Sequence, residues 1–588
     1  MPPISYTTYS MQKKWHILSP DPAQVSILAD SLGLQPALAA VLVNRGIHNP
    51  DNAKVFLEAS LAGARSPFSM KDMDRAVERI LIAVSRREKV LIFGDYDADG
   101  ITATALLYEF LTYLNADVHC YIPNRLTEDY GLCLDHIEKC AAPDGVGLII
   151  TVDCGINSFE AVTAASRVGI DVIITDHHET PPSIPDAVAV VNPKQPDCAS
   201  GFSFLAGVGV VFNLILALRK ALRDEGFWKE RPEPNLKAAC DLVALGTVGD
   251  MVPLLEENRI YVKAGIEVLD SGPRPGIKAL LDVCKLRNRP FNTRDLAFKL
   301  APRLNAAGRL GDASTALKLL TTSDMQTGRA IAKELNQQNV NRRKIEQRVL
   351  SDILQRLENT PELLEQRSLV VEQEGWHRGV IGIAASRLVD RYNRPAVVIA
   401  VADGIGKGSA RSPNGFDLFE GLNGCAQHLE KFGGHKAAAG LTLRAENIPA
   451  FRRDFENIVC QKTEPEDFVP ELVIDSEISG SDVSAELADQ LEGFAPFGRG
   501  NPEPLFILSG INVLSAKMVG AQHLRMRLGP SNPSKLDRDE PLDAILFNRG
   551  AAVPQPEHLY DIACHVRWNR WQDQKRIQLV IRDWRVVR

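Results

Sequence analysis

The 588-residue sequence contains no C-x-x-C pair and no apolar run approaching about 18 residues. The first absence removes the usual spacings of structural zinc sites and thioredoxin-like motifs. The second removes a membrane-spanning helix. No apolar stretch follows a basic one in "MPPISYTTYSMQKKWHILSP", so a secretory signal is not expected. Ten cysteines are scattered through the chain, many in apolar contexts such as "LKAAC" and "LLDVC", where they read as small buried hydrophobes. These features predict a soluble, non-secreted protein in a reducing cytoplasm, without a membrane partner. Excess positive charge is missing as well. A net charge of −7 gives no global sign of a nucleic-acid partner, so any basic surface must be local.

What is present is ordinary globular composition, 45% hydrophobic and 24% charged, over a length suited to roughly three or four domains. Up to about residue 85 apolar residues recur at helical spacing, as in "DPAQVSILADSL" and "MKDMDRAVERILIAVSR". The pattern then alternates: "VLIFG" before "ITATALLYEFLTYL", "LIITV" before "NSFEAVTAASRVG", and "DVIIT" before a Pro-rich loop. Such alternation predicts a parallel sheet with helices on both faces. A stretch at 324–359, free of proline, predicts a helix of about 50 Å joining two bodies. A Gly-rich α/β-like segment follows from about 367 to 460, and short alternating runs from about 463 predict a small β-barrel. One local basic surface ends the chain. Between Asp561 and Arg588 six Arg and one Lys stand against three Asp, interleaved with Trp568, Trp571 and Trp584.

The expected strand ends carry acid. "GDYDADG" places Asp95, Asp97 and Asp99 together, "TVDCGI" adds Asp153, and "TDHHE" adds Asp176, His177 and His178. Asp250 lies in the apolar segment "ACDLVALGTVGDMVPL", between a small-residue turn and a new apolar run, and reads as a fourth such point. Ligands of doubly wound sheets bind at the carboxyl ends of the strands, so these groups are expected in one crevice. Three carboxylates in seven residues repel one another unless something positive lies among them. An oxygen and nitrogen donor set suits Mn²⁺ or Mg²⁺ better than structural zinc. There are donors enough for two ions, the arrangement that serves phosphoryl hydrolysis. The competing reading makes each Asp a helix cap or turn residue. Four acidic points on consecutive strand ends, one bearing a double histidine, weigh against it.

"GDYDADG", "TVDCGI", "TDHHE" and "LGTVGDMVPL" resemble the four motifs of the DHH phosphoesterase superfamily, and "GGHKAAAG" resembles its DHHA1 signature. "PNRLTEDYGL", "LAGVGVVF", "APRLNAAGRL" and "PFGRGNPEP" narrow the resemblance, across nearly the whole chain, to the RecJ family of single-strand-specific 5′-to-3′ exodeoxyribonucleases. One departure is Gly249, where the fourth motif is expected to carry alanine.

The resemblance implies an α/β multidomain fold. A helical segment (1–85) precedes a DHH parallel-sheet domain (86–320), a connecting helix (321–362), a DHHA1 α/β domain (363–462) and a C-terminal OB-fold barrel (463–588). It implies that Asp97 and Asp99 bind different ions, that Asp153 bridges them, and that His177 and Asp250 complete one site. Asp95 is either a ligand or a carboxylate behind the ligands. Asp176 orients a neighbouring histidine, and His178 faces the scissile phosphate. Ser409, Arg411, Arg309 and Arg125 match the pocket that grips the 5′ end, while Gly434 and His435 lie against the strand or pack helix on sheet. Trp568, Arg570, Trp571 and Lys575 are candidates for single-strand binding in the barrel, against the alternatives of core and solvated face. The implied activity is hydrolysis of single-stranded DNA to 5′-mononucleotides in repair and recombination. Single-strand-binding protein and a RecQ-type helicase are expected partners, and a monomer is expected. Two alternatives are a phosphoesterase of short oligonucleotides or other small phosphorylated substrates, and a non-catalytic single-strand-binding scaffold.

Overall fold

A computed structural model describes residues 13–272, 274–287, 289–520, 523–530, 541–547, 553–555, 557–571 and 574–587. The chain forms two compact units. One comprises Ser60–Asp467 with Gly498–Asn501; the other combines the residues up to Ala59 with Phe468–Phe497 and the chain from Pro502. The expected helical segment 1–85 is therefore divided. Its first three helices, Pro22–Leu32, Pro36–Asn44 and Pro50–Glu58, belong with the C-terminal barrel, whereas Met73–Arg86 packs against the helix Gly207–Asp224 of the larger unit. The reason is a shared core: Leu28, Leu38, Val41 and Leu42 bury themselves with Leu487, Phe494, Phe506 and Ile562. Each such side chain contributes about 1.5–3 kcal/mol by leaving water. Among the described residues no single helix is long and apolar enough to cross a membrane.

The larger unit holds two sheets. The first is parallel throughout, in the order Asp117–Tyr121, Lys89–Gly94, Leu148–Val152, Asp171–Thr175, Ala189–Val191. Its central runs are buried almost end to end, as a sheet covered on both faces requires. The helix Ala98–Tyr113 follows the Lys89–Gly94 strand. Its small residues Ala98, Gly100, Thr102, Ala103 and Ala105 are all buried, and it packs against Gly207–Asp224 and Cys240–Asp250. Asp250 thus ends a helix and not a strand, because "CDLVALGTVGD" packs its small residues on Ala98–Tyr113. Gly249 belongs to that packing, since a Cβ there would lie 3.0 Å from the Ala98 Cβ.

The second sheet runs Lys431–His435, Ala438–Arg444, Ile405–Arg411, Ala396–Ala402, Leu369–Glu374. Only its last pair is parallel, joined through the helix Arg378–Tyr392. Between the sheets runs the helix Met325–Asn359, 35 residues and so about 52 Å long. Its N-terminal part packs against the helix Pro275–Val283, and its C-terminal Val349, Ile353 and Leu357 enter the core of the second sheet with Leu369, Val371 and Val380.

In the smaller unit the strands Phe506–Val519, His523–Pro530, Leu542–Leu546, Gln574–Val586 and Leu559–Trp571 pair in that order, and the last returns to the first. This is the closed five-stranded barrel of an OB fold.

Candidate active site

The parallel strands Lys89–Gly94, Leu148–Val152 and Asp171–Thr175 end one residue before Asp95, Asp153 and Asp176, so the sheet itself delivers these carboxylates to one rim. Asp97 caps the next helix, accepting hydrogen bonds from Asp99 N at 2.9 Å and Gly100 N at 3.2 Å. The capping reading and the ligand reading therefore coexist at Asp97. Asp99 lies within the first turn of that helix and accepts from Gly207 N at 2.7 Å and Val208 N at 2.9 Å, at the start of the helix Gly207–Asp224. That close approach needs glycine, because a Cβ on Gly207 would lie 2.5 Å from Asp153 Oδ1. Asp153 adopts a left-handed φ of 63°, a conformation non-glycine residues rarely take.

Three ligand-like groupings result: Asp95, Asp97 and Asp153; Asp99, His177 and Asp250; and Asp153, His177 and His178. His177 Nε2 lies 3.1 Å from Asp153 Oδ1, 3.6 Å from Asp250 Oδ2 and 3.8 Å from Asp99 Oδ2. Asp153 is common to a grouping with Asp97 and one with His177. Asp95 stands among the possible donors, with one oxygen accepting from Tyr96 N at 2.8 Å.

The electrostatics match an acidic cluster lacking its counter-charge. Burial, then Asp97, pushes Asp99 up to about 7. Burial, then Asp99 and Asp97, pushes Asp250 up to about 9. Asp95 and Asp153 rise well above the carboxylate range, through burial first and then the neighbouring carboxylates. Burial, then the charge of His178, holds His177 down at about 3, leaving a neutral imidazole as a metal ligand must be. Asp153 Oδ1 and His177 Nε2 are buried without a hydrogen-bond partner. Divalent cations satisfy all of these groups at once, so the residues fit two such ions.

Asp176 organises the rim. Its Oδ1 accepts from His177 N, His178 N and His178 Nδ1 at 2.7, 3.1 and 2.7 Å, and its Oδ2 from Ile156 N at 3.0 Å. Burial opposes its ionisation, but the His178 bond and charge hold it near 2. For His178 burial likewise opposes the cation, and the Asp176 bond overcomes it, raising the ring to about 9. A fixed cation results, partly exposed beside the carboxylates.

Adjoining this rim is a cavity of about 600 Å³ lined by Tyr96, Arg125, Arg378, Ser409, Lys431 and Gly433 among others. Arg309 Nη1 donates to Gly379 O at 3.2 Å, and Arg411 Nη1 to Ser409 Oγ at 3.1 Å and Ala410 O at 2.8 Å. Arg125 lies over the Tyr96 ring at 4.9 Å. Burial, then the charges of Arg125 and Arg342, lowers Arg309 to about 10, and burial with Arg125 lowers Arg411. Guanidinium groups that hold one another's charge down are a setting in which an anion could be held. Tyr96, Arg378, Lys407 and Lys431 share the cavity and escaped the sequence reading. Tyr96 carried a signal there, lying inside "GDYDADG", and Lys407 another, lying in "GKGSARS" with Ser409 and Arg411.

The glycines divide. A Cβ on Gly434 would come within 2.4 Å of Ala438 O, so Gly434 serves hairpin packing. Gly433 and Gly440 face each other across the ladder, line the cavity and have no heavy atom within 4 Å of an added Cβ. His435 is exposed at the end of that strand, and its ring is lowered by burial and then by the charge of His178.

Trp568, Arg570 and Lys575 lie in the barrel unit and are not free platforms. Trp568 Nε1 donates to Asp489 at 2.9 Å, Lys575 donates to Asp489 at 2.8 Å and sits 4.0 Å over the Trp568 ring, and Arg570 pairs with Glu492 at 2.5 Å. Arg567 pairs with Glu503. Both Asp489 and Glu492 come from the helix Ala485–Gly493, about 80 residues upstream. The Trp571 side chain lies outside the described residues.

Three family models match: "DHH family, N-terminal domain" over residues 89–247, "DHHA1 domain" over 365–461 and "RecJ OB domain" over 474–583. Among curated proteins, the single-stranded-DNA-specific exonuclease RecJ of Bacillus subtilis is 38% identical over 97% of this chain and 70% of its own. That of Salmonella typhimurium is 37% identical over 94% and 96%. Among solved structures, RecJ in complex with Mn²⁺ from Thermus thermophilus superposes with a TM-score of 0.82 at 29% identity, over 97% of this chain and 79% of that one. The Mg²⁺ complex from the same organism gives 0.75 at 28% identity, over 97% and 78%. With identities of this size over most of both sequences, the chain belongs to the RecJ family.

Proposed function

We propose that this protein is a metal-dependent exonuclease that hydrolyses phosphodiester bonds in single-stranded DNA and serves DNA repair and recombination. The observation that carries the reading is the meeting of Asp95, Asp97, Asp99, Asp153, His177 and Asp250 at one rim, beside a cavity lined by Arg125, with Arg309 and Arg411 bonded to its lining residues Gly379 and Ser409. Two divalent ions, Mn²⁺ or Mg²⁺, supply an activated water and neutralise charge on the phosphate when bound. Asp95, Asp97 and Asp153 would hold one, and Asp99, His177 and Asp250 the other, with Asp153 shared. His178, kept cationic by Asp176, stabilises the negative charge of the scissile group. Arg309, Arg411 and Ser409 grip a terminal phosphate, fixing the strand so that mononucleotides leave from the 5′ end.

The finer readings follow the family: cytoplasmic location, action as a monomer, and work beside single-strand-binding protein and a RecQ-type helicase. A small-substrate phosphoesterase would need neither the barrel nor a 35-residue connecting helix. A non-catalytic scaffold would have no reason to keep every motif carboxylate.

The test offers the full chain single-stranded and duplex DNA labelled at either end, with Mn²⁺, Mg²⁺ or EDTA. Release of labelled mononucleotide from the 5′ end of single strands, abolished by EDTA, is expected. Metal-independent cleavage or release from the 3′ end overturns the reading.

A further inference from the structure

Three side chains outside the ligand cluster form a relay that the hydrolysis does not use. Cys133 Sγ lies 3.1 Å from His136 Nδ1, and His136 Nε2 lies 2.9 Å from Glu128 Oε2. Nδ1 also accepts the backbone N–H of Cys133 at 3.1 Å, which puts the ring proton on Nε2, donated to Glu128. An unprotonated Nδ1 therefore faces a thiol. A base beside a nucleophile, with a carboxylate orienting the base, is the arrangement that activates cysteine. The ring is fixed: His136 is 5% exposed and packs against Phe93 at 4.8 Å and Tyr121 at 5.3 Å. Cys133 itself stays partly exposed.

A simple capping role explains part of this, since Cys133 and His136 form a reciprocal cap at the start of the helix Leu134–His136. Capping needs no carboxylate behind the ring. Glu128 is the additional element, and it also holds the neighbouring loop, since its Oε1 accepts Asn124 N at 2.8 Å and its Oε2 accepts Tyr121 OH at 2.8 Å. Those bonds pin the turn Asn124–Glu128, which carries Arg125 to the cavity.

We propose that Cys133 is a modification site, a nucleophilic thiol that reacts with hydroperoxides and thereby loosens the turn bearing Arg125. His136 Nδ1 exchanges its bond from the Cys133 N–H for the thiol proton, and the thiolate sulfur attacks the terminal peroxide oxygen. The O–O bond breaks as the S–O bond forms, sulfur is oxidised to sulfenic acid, and the peroxide is reduced to alcohol or water, whose proton returns from His136. The added oxygen occupies the 3.1 Å gap between Sγ and Nδ1, so the ring and the Glu128 bonds behind it must shift. The effect on substrate rests on Arg125 acting in strand binding, as proposed above.

The experiment treats the full-length protein with hydrogen peroxide, traps sulfenic acid with dimedone and maps the label by mass spectrometry. Cys460 is the internal control, a more exposed thiol whose hydrogen bond, at 3.2 Å, is to the Glu456 carboxylate and not to an imidazole. Cys133 is expected to label about tenfold faster or more than Cys460, and Glu128→Gln to remove most of that advantage. Peroxide is expected to raise KM for single-stranded DNA severalfold in the wild type and to leave Cys133→Ser unchanged. Equal labelling of Cys133 and Cys460, or a Cys133→Ser enzyme as sensitive as wild type, overturns the proposal. Arg125→Ala is measured separately. An unchanged KM in that variant refutes the Arg125 reading while leaving the labelling result intact.

Discussion

His177 Nε2 stands 3.1 Å from Asp153 Oδ1, and neither atom makes a hydrogen bond. Two buried polar atoms left unpaired cost about 1–3 kcal/mol each. A cation between them removes the cost for both, and Asp153 also reaches Asp95 and Asp97. Replacing Asp153 with alanine should therefore disturb both ions together. Nuclease turnover is expected to fall at least about 100-fold, with single-strand affinity measured by fluorescence anisotropy largely kept. Near-wild-type turnover would refute the shared position.

Asp176 acts through His178. Asp176→Asn keeps one acceptor for the strand-end amides but loses the charge that holds His178 cationic. We expect kcat to drop about 10- to 100-fold with little change in KM. Should KM rise and kcat stay constant, the residue positions substrate instead.

Arg411 is read as a phosphate grip. Its replacement by alanine removes charge-assisted bonds worth about 1.5–3 kcal/mol, so KM for 5′-phosphorylated strands should rise about 10- to 100-fold. Strands ending in a 5′-hydroxyl should respond much less. An equal effect on both would place Arg411 elsewhere along the strand.

Stability should depend on pH through Asp250 and His178. The Asp250 carboxyl, ordinarily near 3.8, holds its proton to about 9 in the fold, through burial and the charges of Asp99 and Asp97. His178, ordinarily near 6.5, also holds its proton to about 9, as Asp176 outweighs burial. From about pH 6.5 to 9 the unfolded chain has released both protons that the native state keeps, so metal-free stability must fall as pH rises. Calorimetry in EDTA is expected to show a declining melting temperature across this window, with Mn²⁺ restoring most at its upper end. A flat or rising profile would count against the charge assignment.

Much of the site is legible in the chain because parallel strands are apolar runs with sharp ends, and Asp95, Asp153 and Asp176 sit just past "VLIFG", "LIITV" and "DVIIT". Asp250 reads as a strand end although it closes a helix, because an eleven-residue apolar segment fits a buried strand or a buried helix equally well by pattern. Trp568 and Lys575 resemble a bare DNA platform because their neutralising partner, Asp489, lies 79 residues before Trp568 and only tertiary packing brings it there. The division of residues 14–86 between two units is hidden for the same reason: the helices are legible, but which core they fill depends on Leu487, Phe494 and Phe506, more than 400 residues away.

Gly433 and Gly440, paired across their ladder with no heavy atom within 4 Å of where a Cβ would stand, give the cavity a patch of bare peptide in its lining. A glycine surface presents the same flat backbone whatever nucleobase passes over it. Such a patch can bear a polymer of any sequence without pausing at one letter over another, so the rate of digestion should be indifferent to base composition.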